Sequence, residues 1–546
     1  MKFASRSLPS ERSSITLNKM NLHGLNYLGD APSGESNVTF RAIDPATGES
    51  LEPLFFEATA DEIDAAASKA ADAFQEYRLK SGAEKAVFLE TIAEEIDALG
   101  DALIERCASE TALPVPRITG ERGRTTAQLK LFAALLREGS WVDARIDTAQ
   151  PERQPLPKPD IRSLQKALGA VGVFGASNFP LAFSVAGGDT VAALAAGCPV
   201  IVKAHPSHPG TCEMVAAAIL KAVEKTNMPD GVFSMLHGAS NEVGMGIVTH
   251  PVIKAVGFTG SFKGGKAIFD AAAGRAEPIP VYAEMGSSNP VFIFKGALDE
   301  NAENIAAGLA NSFTLGTGQF CTNPGIVFVP RAAEAARFQK ILAEKIGEAK
   351  MDAMLNRGIY EGFEQNVKRM SAQTNVEVLF SGKAATEKPN RAAAQVFATT
   401  GTEFLNDDVL EKEIFGPATL IVTVENTAQL LAISRRLGGH LTASVFGNRA
   451  DLEDNRQLIS ILEQKVGRLL VNGFPTGVEV CHAMVHGGAF PATTDSRTTS
   501  VGTLSITRFT RPVCYQNFPD FLLPDELKPD NPLGIWRKIN GELKKE

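Results

Sequence analysis

From Gly169 onward the chain alternates short apolar runs with amphipathic stretches, and no other feature restricts its fold as much. AVGVFGA (170–176), PVIVKAH (199–205), GVFSMLHG (231–238) and IKAVGFTG (253–260) read as buried strands. Between them SVAGGDTVAALAA (184–196) and GTCEMVAAAILKAVEKT (210–226) carry apolar residues at helical spacing. Strand, loop and helix repeated over about a hundred residues predict a parallel, doubly wound sheet with a ligand at the strand C-termini.

A second α/β stretch, roughly 290–480, contains PVFIF, the helical ENIAAGLANSF, GIVFVP, TLIVTV and the helical AQLLAISRRLG. Ahead of both sheets, Ala60 to Leu136 reads as helical. The segments from Ser140 to Leu168 and from Ser505 to Leu527 are proline-rich and alternating, and read as extended arms. With 546 residues, two or three lobes are expected. A net charge of −9 without a long basic run argues against nucleic-acid binding. Six cysteines without a CxxC pair suit a reducing, cytoplasmic compartment. His205 and His208 each precede a proline and have no third ligand nearby, so no metal site is expected. No apolar run is long enough to span a membrane. The Ser- and Arg-rich first residues lack the apolar core of a secretory signal and read as a tail.

Four segments carry chemistry. NSFTLGTGQFCTNPG (311–325) presents Cys321 on a glycine-rich loop among Gln319, Thr322 and Asn323. Glu284 ends the apolar run in VYAEMGSSNP, and a carboxylate there is costly unless it pairs or acts. Asn178 in GVFGASNFPLAFS has an amide able to donate to an oxyanion. VGFTGSFKGG, with Gly260, Ser261 and Gly265, is a strand-to-helix turn suited to a pyrophosphate. Each has a plain structural reading too: an inert thiol, a salt-bridged glutamate, a capping asparagine, an ordinary glycine turn.

Taken together and in order, these segments resemble the aldehyde dehydrogenase superfamily. The family's Asn-Phe-Pro segment matches Asn178, Phe-Thr-Gly-Ser matches Phe258 to Ser261, and Glu-Leu-Gly-Gly matches Glu284 to Ser287. Gly-Gln-x-Cys matches Gly318 to Cys321, and Glu-x-Phe-Gly-Pro matches Glu413 to Pro417. The resemblance implies an α/β fold with three parts. A Rossmann-like NAD(P)-binding domain would span 22–140 and 165–289, and a catalytic domain 290–495. An oligomerisation arm and C-terminal tail would span 141–164 and 496–546, after a tail at 1–21. It implies that Cys321 adds to an aldehyde, that Asn178 and the Cys321 amide hold the oxyanion, and that Glu284 activates water on a thioester. No histidine base is expected near Cys321. The cofactor residues implied are Lys203, Ser207, Gly260, Ser261, Gly265, Gly286, Glu413 and Phe415. Pro206 stands where NAD-preferring members place an acid, which favours NADP over NAD, although Asn241 departs from the NADP pattern as well.

KAHPSHPGTCE, NGFPTGVEVCHAMVHGGAFPATTDSRTTSVG and RFTRPVCYQNFPDFLLPDEL resemble one branch of that superfamily, which contains 2,5-dioxovalerate dehydrogenases and fatty aldehyde dehydrogenases. A carboxylate-bearing substrate needs a cation, and Arg122, Arg124 and Gln128 are the candidates. Phe179, Phe183, Phe320 and Phe490 are candidate walls, and His482 falls where the branch places a histidine near the site. The expected reaction is 2,5-dioxovalerate to 2-oxoglutarate, with a fatty aldehyde dehydrogenase as the alternative. A cysteine hydrolase would need a histidine within reach of Cys321. An acyl-CoA-forming enzyme tends to lack the glutamate. The arms suggest a homodimer or homotetramer.

Overall fold

A computed structural model of the chain describes residues 22–384 and 387–545, so the tail expected at 1–21 lies outside the described residues. The helical expectation from Ala60 onward resolves into four helices, Ala60–Tyr77, Gly82–Ala98, Gly100–Thr111 and Val115–Glu138. The first begins with a reciprocal cap: Thr59 accepts from the Glu62 amide while the Glu62 side chain accepts from the Thr59 amide. Its buried face, Ile63, Ala66, Ala67, Ala70, Ala73 and Tyr77, follows the three- and four-residue spacing.

The alternating region forms a seven-stranded sheet in the order Val281–Glu284, Ile253–Thr259, Ala170–Phe174, Val200–Lys203, Phe233–Leu236, Asn26–Leu28, Ala31–Ser33. The first five strands are parallel, and the N-terminal hairpin adds antiparallel at one edge. Every residue of Ala170–Phe174 is buried, as a central parallel strand requires. The chain leaves this strand toward Val200–Lys203 on one side and returns to its other side with Ile253–Thr259. That reversal opens a crevice at the strand C-termini, flanked by the loops after Phe174 and Thr259.

The helix expected from Ser184 begins at Gly188. The preceding residues are turned tightly: a Cβ on Gly187 would sit 2.7 Å from the Ala182 carbonyl oxygen. A second seven-stranded sheet runs Glu377–Ser381, Gln395–Thr400, Ala418–Val424, Ile326–Pro330, Val291–Ile293, Thr442–Phe446, Arg468–Val471, parallel except at its first pair. The segments read as arms build a five-stranded sheet, in which Thr510–Gln516 pairs antiparallel along the full length of Ile161–Ala167. Among the described residues no helix is long and apolar enough to cross a membrane.

Candidate active site

The helix Lys295–Thr314 ends in a tight turn in which Gly316, Thr317 and Gly318 all have positive φ. Thr317 holds this costly conformation by accepting from the Asp352 amide at 3.0 Å. Gly318 is pressed against the Gly416 carbonyl, where a side chain has no room. The turn delivers Cys321, half-buried, to the floor of a cleft between the two large sheets. Asn289, fully buried, clamps the loop: its side-chain NH2 donates to the carbonyls of Cys321 at 2.8 Å and Asn323 at 2.9 Å.

The Cys321 Sγ lies 3.3 Å from His486 Nε2, and His486 Nδ1 lies 2.9 Å from Glu284 Oε2. The expectation that no histidine reaches the thiol is therefore corrected. His486 is buried, and its backbone is fixed by Thr499 Oγ1, which accepts from its amide, and by Ser500, whose amide donates to its carbonyl. Burial works against the imidazolium, but the neighbouring Cys321 sulfur and then Glu284 outweigh it and push the His486 pKa up to about 10. Glu284, 2% exposed at the end of its strand, uses its second oxygen on Arg508 Nη2 at 3.1 Å. Both carboxylate oxygens are thus engaged, so Glu284 meets the thiol through His486. Asn178 lines the cleft beside Cys321, with its amide donating to the Gln319 carbonyl at 3.0 Å, and Arg117 donates to the Asn178 carbonyl at 2.7 Å.

Two cavities meet at Cys321, sharing Phe179, Phe183 and His486 as walls. The larger, about 370 Å³, brings together Asn178, Gly260, Ser261, Glu284, Gly286, Glu413 and Phe415 of the expected residues. Its chemistry suits a dinucleotide. Ser261 caps the helix Phe262–Ala273, whose N-terminal amides face anions. Gly286 leaves no Cβ in the space filled by the Glu413 carboxylate. Burial raises the Glu413 pKa to about 7 against the opposing Ser287 amide, leaving a carboxylate with capacity to accept hydroxyls.

His205, Asn356 and Asn366 also line this cavity and were not among the expected residues. His205 Nδ1 accepts from the Ser207 amide, so its Nε2 carries the proton and is free to donate. Its place two residues beyond Lys203 was the available signal. Three expected cofactor residues do not line the cavity. Ser207 accepts from the Asn356 side chain, Gly265 packs on Met285, and Lys203 is largely buried, a burial that lowers its pKa to about 8.

The smaller cavity, about 160 Å³, is lined by Arg124, Phe179, Phe183, Phe320, Leu315, Thr476 and Val478, among others. Arg124 lies with its guanidinium carbon 5.6 Å from the Phe179 ring centre and 5.4 Å from that of Phe183. Its buried Nε and Nη2 have no protein acceptor. The other substrate candidates fall elsewhere. Arg122 donates to the Gly100 carbonyl, and Gln128 is buried outside the cavity lining. Phe490, 57% exposed, packs on Phe262. His482 is exposed and bonded to Thr503. The same irregular segment turns His482, read as a substrate candidate, outward and His486 inward, and no periodicity marks which is which. Among the described residues no group of three or more His, Cys, Asp or Glu side chains is arranged to hold a metal ion.

Known proteins share this arrangement of chain. The aldehyde dehydrogenase family model matches residues 33–507. The chain is 48% identical over 524 residues to alpha-ketoglutaric semialdehyde dehydrogenase 2 of Azospirillum brasilense, covering 96% of this chain and 100% of that protein. It is 45% identical over 526 residues to alpha-ketoglutaric semialdehyde dehydrogenase of Acinetobacter baylyi, covering 96% and 98%. A solved aldehyde dehydrogenase from Bacillus cereus in complex with NAD+ superposes with a TM-score of 0.78 at 21% identity, covering 91% of this chain and 97% of that one. The fold, the matched length and the identity to these relatives agree: the chain belongs to the aldehyde dehydrogenase family.

Proposed function

We propose that this enzyme oxidises 2,5-dioxovalerate to 2-oxoglutarate through a thioester on Cys321. The observation that carries the substrate is Arg124: a buried guanidinium with two nitrogens lacking acceptors, in the cavity adjoining the nucleophile. A substrate carboxylate supplies the missing acceptors and offsets the desolvated charge. The aldehyde at the other end of a five-carbon chain then lies toward Cys321. The names of the two relatives support the same choice. A fatty aldehyde would leave Arg124 unpaired against its alkyl chain.

His486, held as the imidazolium beside the sulfur, keeps Cys321 as the thiolate that adds to the aldehyde carbon. The Asn178 amide and the Cys321 backbone N–H hold the oxyanion, each such donor contributing roughly 3–4 kcal/mol. Gly260, Ser261, Glu413 and Phe415 in the larger cavity would hold a nicotinamide dinucleotide, which would supply the hydride acceptor. Once the sulfur is acylated and the His486 proton has passed to solvent, the neutral imidazole, oriented by Glu284, draws a proton from the water that hydrolyses the thioester. Glu284 thus acts as the partner that sets the imidazole's tautomer. The histidine brings a hydrolase-like thiol–imidazole–carboxylate unit, but the glycine-lined cavity beside it belongs to a dehydrogenase.

The parts divide accordingly: 22–140 and 165–289 bind cofactor, 290–495 carry the nucleophile, and 141–164 with 496–546 form an arm that builds a cytoplasmic homodimer or homotetramer. The exposed edge strands Arg468–Val471 and Thr510–Gln516 support the assembly. NADP is the proposed preferred cofactor, since Pro206 places no acid beside Lys203. The test compares kcat/KM for 2,5-dioxovalerate, succinate semialdehyde and hexanal with NADP and with NAD. A preference for 2,5-dioxovalerate is expected, and a strong preference for hexanal contradicts the reading. An NAD preference would instead point to Glu57, whose charge acts on Lys203 and whose carboxylate accepts from the Ala239 and Ser240 amides.

A further inference from the structure

The run of buried polar contacts behind Cys321 does not end at Glu284. Arg508 is 1% exposed and spends its whole fork inside the protein. Its Nη2 donates to Glu284 Oε1 at 3.1 Å, its Nη1 to Asp189 Oδ1 at 3.1 Å, and its Nε to Thr498 Oγ1 at 3.1 Å. Asp189 lies in the first turn of the helix Gly188–Ala196 and is itself buried. The central sheet makes room for it at Gly257, where a Cβ would come 2.7 Å from the Asp189 carboxyl carbon. Five side chains from five separate segments therefore form one line: Cys321, His486, Glu284, Arg508, Asp189.

We propose that Arg508 and Asp189 are positioning residues for the reaction, fixing Glu284 so that it keeps a proton on His486 beside Cys321. This rests on the reading of His486 as the base. The charges account for both residues. Glu284 and Asp189 carry two negative charges and Arg508 one positive, which leaves one negative charge to balance one proton on His486. Without Arg508, two carboxylates face each other across a dry space, share a proton, and Glu284 no longer holds His486. Without Asp189, Arg508 draws fully on Glu284 and the line loses its net negative charge. The other charged or titratable groups acting on this line are few. Arg117, Arg124 and Arg468 interact with Cys321, while Tyr282 lies against Arg508, which also acts on Asp495.

The test is the pH profile for alkylation of Cys321 by iodoacetamide, in the full chain without substrate, with circular dichroism reporting the fold. Arg508→Gln and Asp189→Asn are each expected to move the midpoint up by about one pH unit, because each weakens the hold of Glu284 on the His486 proton that favours the thiolate. Arg508→Lys, which keeps the charge and loses the fork, is expected to return the midpoint toward wild type. Upward shifts from removing a positive charge at one position and a negative charge at the other report the hold on His486; a merely structural role moves neither. If folded Arg508→Gln and Asp189→Asn both retain the wild-type midpoint, the inference is overturned. Should Arg508→Gln fail to fold, an unshifted Asp189→Asn profile overturns it alone. His486→Gln serves as the control: if it leaves the profile unchanged, the assignment of His486 as base fails instead.

Discussion

Taking the imidazole from His486 removes the group that accepts the Cys321 proton and later activates water. His486→Gln is expected to lower kcat by about 10²–10⁴ while leaving cofactor affinity unchanged. Steady-state rates with cofactor titration check this, and an unchanged kcat would mean that the 3.3 Å contact has no catalytic role. Arg124→Met keeps the bulk in the smaller cavity and removes the charge. It is expected to lower kcat/KM for 2,5-dioxovalerate about ten- to a hundred-fold, with hexanal little affected; equal losses on both substrates would remove Arg124 from carboxylate recognition. Glu413 sets a pH dependence. Its pKa is raised to about 7, so it favours the fold at low pH and that contribution is lost as the pH rises through about 7. Above that pH the ionised carboxylate accepts ribose hydroxyls. Cofactor Kd, read by fluorescence, is expected to tighten from about pH 6 to 8, and Glu413→Gln to flatten the change. At this scale Cys321, Glu284 and Asn178 were legible because each sits inside a short motif. His486 was not, because 165 positions separate it from Cys321 and its segment has neither helical nor strand spacing to predict a facing direction. Arg508 was hidden for the same reason: an arginine inside a segment read as an extended arm gives no sign that its fork will be buried.

The strand–loop–helix alternation gave the parallel strands of the central sheet to within a few residues, since buried parallel strands are continuous apolar runs, but not the hairpin Asn26–Leu28 and Ala31–Ser33 at its edge. The turn before Cys321 was legible as glycine-rich, but its geometry was not. Three consecutive positive-φ residues, one of them a threonine held by the Asp352 amide, depend on a contact with a distant segment. The same turn yields a sharp expectation. Gly318→Ala places a methyl against the Gly416 carbonyl at φ +67°, displacing the loop, and kcat is expected to fall about a hundred-fold with an unchanged circular dichroism spectrum. A kcat within about two-fold of wild type would show that the loop tolerates the shift. Asn289 carries the companion lesson: its clamp on two loop carbonyls uses a residue that the sequence shows only as part of Ser-Ser-Asn-Pro.

For the whole molecule, two large sheets place a glycine-lined cavity and an arginine-capped one on either side of a single sulfur. The alternation predicted the sheets and the motifs predicted the sulfur. The division of the cleft into two cavities was not readable, because Phe179 and Phe183 come from one segment and His486 from a distant one, and they meet only in the folded chain. What this arrangement must do is hold an acyl group on Cys321 after the aldehyde has been oxidised. Mixing enzyme with cofactor and 2,5-dioxovalerate, quenching in acid before one turnover, and mass-mapping the peptides tests that directly. One equivalent of reduced cofactor, matched by an acyl adduct on the peptide containing Cys321, is the expected result. Reduced cofactor with no adduct on Cys321, or an adduct formed without reduced cofactor, would contradict it.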